Sequence, residues 1–589
     1  MSSSLLVEVS WEVANKVGGI YTVVSGHAQL LSEHYEEYLC VGPLFAGRQN
    51  FDFVEEPAPE QVRQCLERLR SRGVNGVFGR WDVSGRPACV LLDASHADFD
   101  VDAIKAELFE RFGVDSLHAG FGFDEPLRWA WAVGLFLAEL RGLREDRFVA
   151  HLHEWMSGFA GLFVRARGVD VGTVFTTHAT MLGRTLSAST DISLYDDLES
   201  LDAWSLACEL GVVDKHSMEV ACARECDVFT TVSDITALEA ESLLGVKPAV
   251  VTYNGISSDQ FPTMEEASVL HAKSRERIHD FLNYYFFSHY RFDLEDTLIF
   301  FTSGRYEFKN KGLDVLTDAL GRLNEWMRSE GLSTTVVVFY WIPGDAQGIK
   351  TQVLEQRGVF STMQQFVKDL SPQLVRRILR RSGDLSSLSG DELFDADARK
   401  KLSRMASKLR HSGSPPLCTH NLPFEEDDSI VRSFRVHGLE NSEDDRVKVI
   451  RQPVYLNGSD GLLDLTYAEA VAGTHLGLFP SYYEPWGYTP VEAAGYAVAS
   501  VTTDLGGFGR FVSSEAADSG GVFVLERMSK SYEEVVGGLF EMMRSYVELD
   551  KHGRMQQKLA AKELTERTQW ETFIKYYYQA HGEAYEKTA

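Results

Sequence analysis

Ser481-Tyr482-Tyr483-Glu484-Pro485-Trp486-Gly487-Tyr488-Thr489-Pro490-Val491-Glu492 sets two carboxylates, Glu484 and Glu492, either side of seven residues. The apolar run Leu476-Gly477-Leu478-Phe479 precedes it, and a helix-like stretch begins near Val491. A turn at the mouth of a parallel sheet is where an α/β protein puts its chemistry. A run so rich in aromatic residues, Gly and Pro is poor core material. It suits the task of holding two acids and several rings against a ligand; an aromatic-lined structural turn is the plainer alternative.

Outward from this run, short apolar segments recur with helix-like stretches between them. In the first half they span 5–9, 38–41, 88–92, 148–151, 173–176, 227–232 and 249–252. The pattern restarts at 297–301, 335–339, 447–450, 475–479 and 499–502. Segments this short and β-branched, followed by turn or cap residues, read as buried parallel strands. Two such blocks predict an α/β chain with two doubly wound, Rossmann-like domains facing a cleft. The expected division is 1–275 for the first domain and 276–560 for the second. A helical insertion at about 352–408 interrupts the second sheet, and a C-terminal helix, 561–589, packs back on the first domain.

The chain has 589 residues, 44% of them hydrophobic and 24% charged, as in a soluble globular protein. Its net charge of −28 argues against nucleic acid or an anionic membrane as a partner. No run of about 18 apolar residues suggests a membrane span. The start, Met1-Ser2-Ser3-Ser4-Leu5, lacks the basic and apolar regions of a signal peptide. Seven scattered cysteines without a C-x-x-C pair fit reduced thiols in the cytoplasm.

Three further motifs carry chemistry. Asn15-Lys16-Val17-Gly18-Gly19-Ile20 follows the first strand and precedes a helix-like run. Paired glycines there let backbone N–H groups approach an anion at a helix N-terminus; a bland tight turn explains it equally well. Ser303-Gly304-Arg305-Tyr306-Glu307-Phe308-Lys309-Asn310-Lys311-Gly312 leaves the first strand of the second half. Arg305 and Lys311 can converge on a diphosphate, each gaining about 4 kcal/mol of gross attraction at ~4 Å and an effective dielectric near 20. A solvated basic loop is the rival. His151-Leu152-His153-Glu154 and Thr176-Thr177-His178-Ala179-Thr180 lie at strand ends, placed for sugar hydroxyls; for His151 a satisfied structural histidine is the rival. The H-x-H spacing lacks a further nearby ligand, so no metal is expected. Glu484 and Glu492 come from one turn and do not read as a hydrolase pair.

Together these residues resemble the animal and fungal glycogen synthase family, retaining glucosyltransferases of the two-domain GT-B architecture that use UDP-glucose. The resemblance rests on Trp11-Glu12-Val13-Ala14-Asn15-Lys16-Val17-Gly18-Gly19-Ile20, His153-Glu154-Trp155, Phe175-Thr176-Thr177-His178-Ala179-Thr180, Gly304-Arg305-Tyr306-Glu307-Phe308, Cys418-Thr419-His420-Asn421 and the run 479–490. It is weakest at 45–115 and 350–410. It implies transfer of glucose from UDP-glucose to the non-reducing end of an α-1,4-glucan such as glycogen, with no cofactor and no metal. Catalytic roles fall to Glu484, Arg305, Lys311 and His178, with His178 contacting the transferred glucose. Gly18, Gly19, Tyr467, Tyr488, Thr489 and Glu492 bind the donor: the glycines near the phosphates, Tyr467 on uracil, Glu492 on ribose. Lys16 and Glu154 lie nearer the acceptor. Same-face attack and a covalent intermediate on Glu484 both remain open. So do ADP-glucose as donor, another acceptor, and an idle glucan-binding homologue, against which the retention of Arg305, Lys311, Glu484 and Glu492 argues.

The resemblance also implies subunit contacts through the helical insertion, and so a homo-oligomer. The family's phosphorylated tails have no counterpart here, so regulation through them is not expected. Its arginine-rich helix, which senses glucose 6-phosphate, corresponds to Lys551, Arg554, Lys558 and Lys562. These share one helix face and read as a solvated charged surface, so little activation by glucose 6-phosphate is expected.

Overall fold

The computed structural model describes residues 4–45, 51–189, 192–380, 393–517 and 519–587. Part of the expected insertion, 381–392, and the chain's last two positions, 588–589, lie outside the described residues.

Nine strands form the first sheet: β1 (Leu5–Val9), β2 (Glu37–Pro43), β3 (Phe53–Glu55), β4 (Asn75–Trp81), β5 (Ala88–Asp93), β6 (Val149–His153), β7 (Gly172–Thr177), β8 (Val228–Thr231) and β9 (Val250–Val251). Their spatial order is β3-β4-β5-β2-β1-β6-β7-β8-β9. All neighbours pair parallel except β3–β4 and β4–β5, which are antiparallel. The second sheet holds β10 (Thr297–Ser303), β11 (Thr335–Trp341), β12 (Val447–Gln452), β13 (Leu476–Leu478), β14 (Ala499–Thr503) and β15 (Val522–Leu525). Its order is β12-β11-β10-β13-β14-β15, parallel throughout.

The apolar runs form strands because helices cover both faces of each sheet: every residue of β1 and of β11 is buried. Three strands escaped the sequence reading. β4 is diluted by Gly76 and Gly79, β3 has three residues, and β15 has four, two of them only half-buried.

Chain order fixes where ligands go. In the first sheet the chain steps from β1 to β2, crosses to the edge strand β3, works back through β4 to β5 beside β2, and returns beside β1 as β6. In the second it runs outward from β10 to β12 and returns beside β10 as β13. The connections leave in opposite directions at these switch points and open a crevice at the carboxyl ends of the strands. The glycine turn follows β1, His153 ends β6, the Arg305–Lys311 loop follows β10, and the Glu484 turn follows β13.

The insertion comprises the helices Thr351–Arg380 and Ala396–Leu409; the first buries only Val353 and Gln356. The last helix, Trp570–Lys587, packs on the first sheet, against β6, β7, β8 and β9. Its Trp570 wedges against Gly26 and Gly255, where an added Cβ would lie 2.3 and 2.6 Å from the indole. Those two positions admit no side chain.

Candidate active site

On the second domain, Lys311 Nζ donates to Glu484 Oε2 at 2.6 Å, and both side chains are half-buried. Ser303, Thr489 and Thr502 line the same pocket. The turn that carries Glu484 is fixed by backbone: Gly507 N–H donates to Glu484 O and Phe508 N–H to Trp486 O. The helix Tyr488–Gly495 starts here, its N-cap Gly487 at φ 103°. Its N-terminus, whose first turn lines the pocket with Lys311, carries the positive end of the helix dipole and so favours an anion there. The Glu492 carboxyl, on that helix, has no hydrogen-bond partner among the described residues, and burial pushes it up to about 7. Tyr467 is close by, its hydroxyl 3.1 Å from Ser303 Oγ. Arg305 is 69% exposed and, among the described residues, pairs only with Glu307 at 3.0 Å. Tyr488 turns away from this group. Its hydroxyl donates to Gly255 O at 3.4 Å, and its ring packs across the domain junction.

On the first domain, the glycine turn differs from expectation. Gly18 N–H donates to Glu12 Oε2 at 2.8 Å and Tyr21 N–H to the same atom at 2.9 Å. Glu12 already fills the anion position that the turn was expected to offer a phosphate. A carboxylate is a natural occupant of a helix N-terminus. Gly19 stays exposed, with open space where a side chain would be. Lys16 is exposed and stands over the Tyr21 ring at 5.3 Å.

His178 and Glu154 form a closed unit. Glu154 Oε1 accepts from His178 N–H at 2.9 Å and Ala179 N–H at 3.2 Å. Burial raises the Glu154 carboxyl to about 7, against the opposing pull of Arg184 and the two N–H donors. Its backbone is left-handed, φ 66°, a strained conformation that the surrounding bonds over-determine. His178 Nε2 lies 3.0 Å from His153 Nδ1, and burial depresses the His178 imidazole well below its usual range. His153 Nε2 in turn meets Glu8 Oε1 at 2.8 Å. Glu8, His151 and His153 bring three ligand atoms within 4.8 Å of one another. These are committed among themselves and to His27 and His581.

The two domains touch through the same turn. Tyr483 donates to Glu239 Oε1 at 3.0 Å, and Ser233 Oγ to Pro485 O at 2.5 Å. Sequence reasoning missed Arg184, which follows His178 on the helix Met181–Ser189. It makes no ion pair among the described residues and lies in the field of Tyr483, Glu154, Glu219 and Glu307. It also missed Asn254, whose buried Oδ1 has no partner among the described residues. The signal for Arg184 was its place six residues after His178, in the first turn of the helix that follows.

The basic stripe also needs correction. On the helix Lys551–Arg567, Lys562 Nζ donates to Gly495 O at 2.8 Å and Arg554 to Leu549 O. Lys558 Nζ lies 3.1 Å from the His271 ring, and burial with nearby Arg275 and Arg554 lowers its ammonium to about 7. Arg275 keeps Nε and Nη2 buried and without a partner among the described residues. This is a packed cationic seam, because the helix Met264–Tyr285 lies against it. The expected indifference to glucose 6-phosphate rested on a solvated face and loses that support.

Residues 8–589 match the family described as Glycogen synthase. The chain belongs to the glycogen synthase family. Glycogen [starch] synthase of Neurospora crassa is 35% identical over 581 residues, covering 97% of this chain and 82% of its own. The human liver glycogen [starch] synthase is 35% identical over 589 residues, covering 98% and 82%. Isoform 2 of Saccharomyces cerevisiae is 36% identical over 595 residues, covering 97% and 84%. Among solved structures, the catalytic domain of starch synthase IV from Arabidopsis thaliana, bound to ADP and acarbose, superposes with a TM-score of 0.53 at 12% identity, covering all of both chains. That likeness shows the two-domain GT-B fold. Family membership bears out the resemblance read from the sequence, and with it glycosyl transfer as the chemistry. No helix among the described residues is long and apolar enough to cross a membrane.

Proposed function

We propose that this glycosyltransferase moves glucose from UDP-glucose to the non-reducing end of an α-1,4-glucan, with retention of anomeric configuration. The observation that carries the reading is the Lys311–Glu484 ion pair at the second switch point, with Tyr467 held against Ser303 and in the field of the buried Glu492 carboxyl. The bond that breaks joins the anomeric carbon to the diphosphate. The leaving group departs readily once its charge is met, so electrostatic stabilisation dominates. Arg305 and Lys311 supply that charge, Glu492 accepts from the ribose hydroxyls, Tyr467 packs on uracil, and His178 contacts the glucose. The acceptor 4-hydroxyl attacks from the face that the phosphate leaves, and its proton passes to the departing phosphate oxygen. We read Glu484 as an electrostatic partner rather than a nucleophile, because its Oε2 is tied to Lys311.

On this reading the reaction needs no metal and takes place in the cytoplasm, where the free cysteines stay reduced. The insertion serves as a subunit contact: Val367, Val375, Ile378 and Leu379 stand 37–66% exposed on its first helix. Light scattering of the full chain tests that assembly.

The test of function is incubation with glycogen and UDP-glucose labelled in the glucose, followed by β-amylase. Label released as maltose is the expected result. Label that resists β-amylase, or that enters glycogen only from ADP-glucose, contradicts the reading.

A further inference from the structure

We propose that Glu8 and His153 are positioning residues that fix the tautomer of His178, so that His178 Nδ1 meets the transferred sugar as a hydrogen-bond acceptor. The inference rests on the reading of His178 as a contact to the transferred glucose.

The chain of contacts begins at a carboxylate that only accepts. Glu8 Oε1 lies 2.9 Å from His27 Nε2 and 2.8 Å from His153 Nε2, so both nitrogens carry protons. The Tyr38 hydroxyl donates to the other oxygen. All four side chains are buried, which locks the carboxylate in place. Burial opposes its charge, yet the His27 and His153 contacts hold the Glu8 carboxyl well below the usual range.

One proton then lies between His153 Nδ1 and His178 Nε2, 3.0 Å apart. With it on His178, each imidazole keeps one N–H and no further cation is buried, the cheaper arrangement in a dry site. His178 Nδ1 is left with a lone pair and no protein partner among the described residues, on a side chain that retains 7% exposure at the cleft. It accepts from a sugar hydroxyl and gives nothing to a group that lacks a proton. A second chain braces the first from behind. His151 Nδ1 lies 3.1 Å from His581 Nε2, and His581 Nδ1 lies 2.9 Å from the Tyr35 hydroxyl. The C-terminal helix thereby presses on the same strand that carries His153.

Two measurements on the full chain test this. In Glu8→Gln, kcat falls about 10- to 100-fold, the worth of one well-placed hydrogen bond, while KM for UDP-glucose changes little. In a His178→Asn background the same substitution adds little further loss. Equal losses in both backgrounds would mark Glu8 as merely structural and overturn the proposal. Nitrogen NMR of the unmodified chain, with His178 assigned by the signals that His178→Asn removes, reads the tautomer directly. A proton on Nε2 is expected, and one on Nδ1 overturns the proposal even where Glu8→Gln fails to fold. If the unmodified chain transfers no glucose from UDP-glucose, the functional reading falls, while the tautomer stands or falls on the NMR alone.

Discussion

The two walls of the cleft are built on opposite plans. The first domain's wall is dry and satisfied: Glu8, His153, Glu154 and His178 spend their hydrogen bonds on one another, and Glu12 caps the glycine turn. The second domain's wall is charged and open: Arg305 is mostly exposed, Lys311 leans on Glu484, and the Glu492 carboxyl has no hydrogen-bond partner among the described residues. The difference teaches which wall waits for the nucleotide. A preassembled wall orients a neutral sugar at little cost in reorganisation, whereas a doubly charged leaving group needs cations free to meet it.

The contrast breaks most sharply at the open wall. Arg305→Ala or Lys311→Ala is expected to cost about 3–5 kcal/mol of transition-state stabilisation, roughly 10²- to 10⁴-fold in kcat/KM. The melting temperature should barely move, since neither side chain supports the core; steady-state kinetics beside a thermal melt checks both halves. The closed wall should respond in reverse. Trp570, 2% exposed between Gly26 and Gly255, anchors the helix behind the histidine network. Trp570→Ala is expected to lose about 3–5 kcal/mol of stability in a denaturant titration.

Smaller effects follow from titration. Glu492 carries a folded-state value raised to about 7 from 4.5. Its contribution to stability is complete below pH 4.5 and is lost as pH rises toward 7. Donor binding moves the other way, because ribose hydroxyls prefer the ionised carboxylate. KM for UDP-glucose should fall as pH rises through 7, and Glu492→Gln should flatten that profile. Lys558 is lowered to about 7 from 10.5. The unfolded chain binds the extra proton between those values, so stability rises with pH across that window. Lys558→Met should remove that slope in melts recorded from pH 7 to pH 10, and should stabilise the protein most near pH 7.

The sequence made the open wall legible because its residues are contiguous. Ser303–Gly312 and the Glu484 turn each follow a strand whose β-branched run announces it, and the restart of that pattern announces the second sheet. The closed wall was legible only at its surface: His153, Glu154 and His178 stood out at strand ends, but the network behind them did not. Glu8, His27, His153 and His581 come from β1, a helix, β6 and the last helix, and no spacing rule joins positions so far apart. Glu12 lay in plain sight, but nothing in a one-dimensional pattern says that a carboxylate six residues upstream folds back to cap Gly18. Lys558 looked solvated because its partner helix, Met264–Tyr285, is nearly three hundred residues away.

The most direct test is UDP release from UDP-glucose by the purified chain with all metal chelated by EDTA, with and without glycogen. Release that depends on glycogen and is undiminished by EDTA is the result predicted for a cleft whose own cations meet the diphosphate. Release that EDTA abolishes, or that proceeds equally without glycogen, would contradict it.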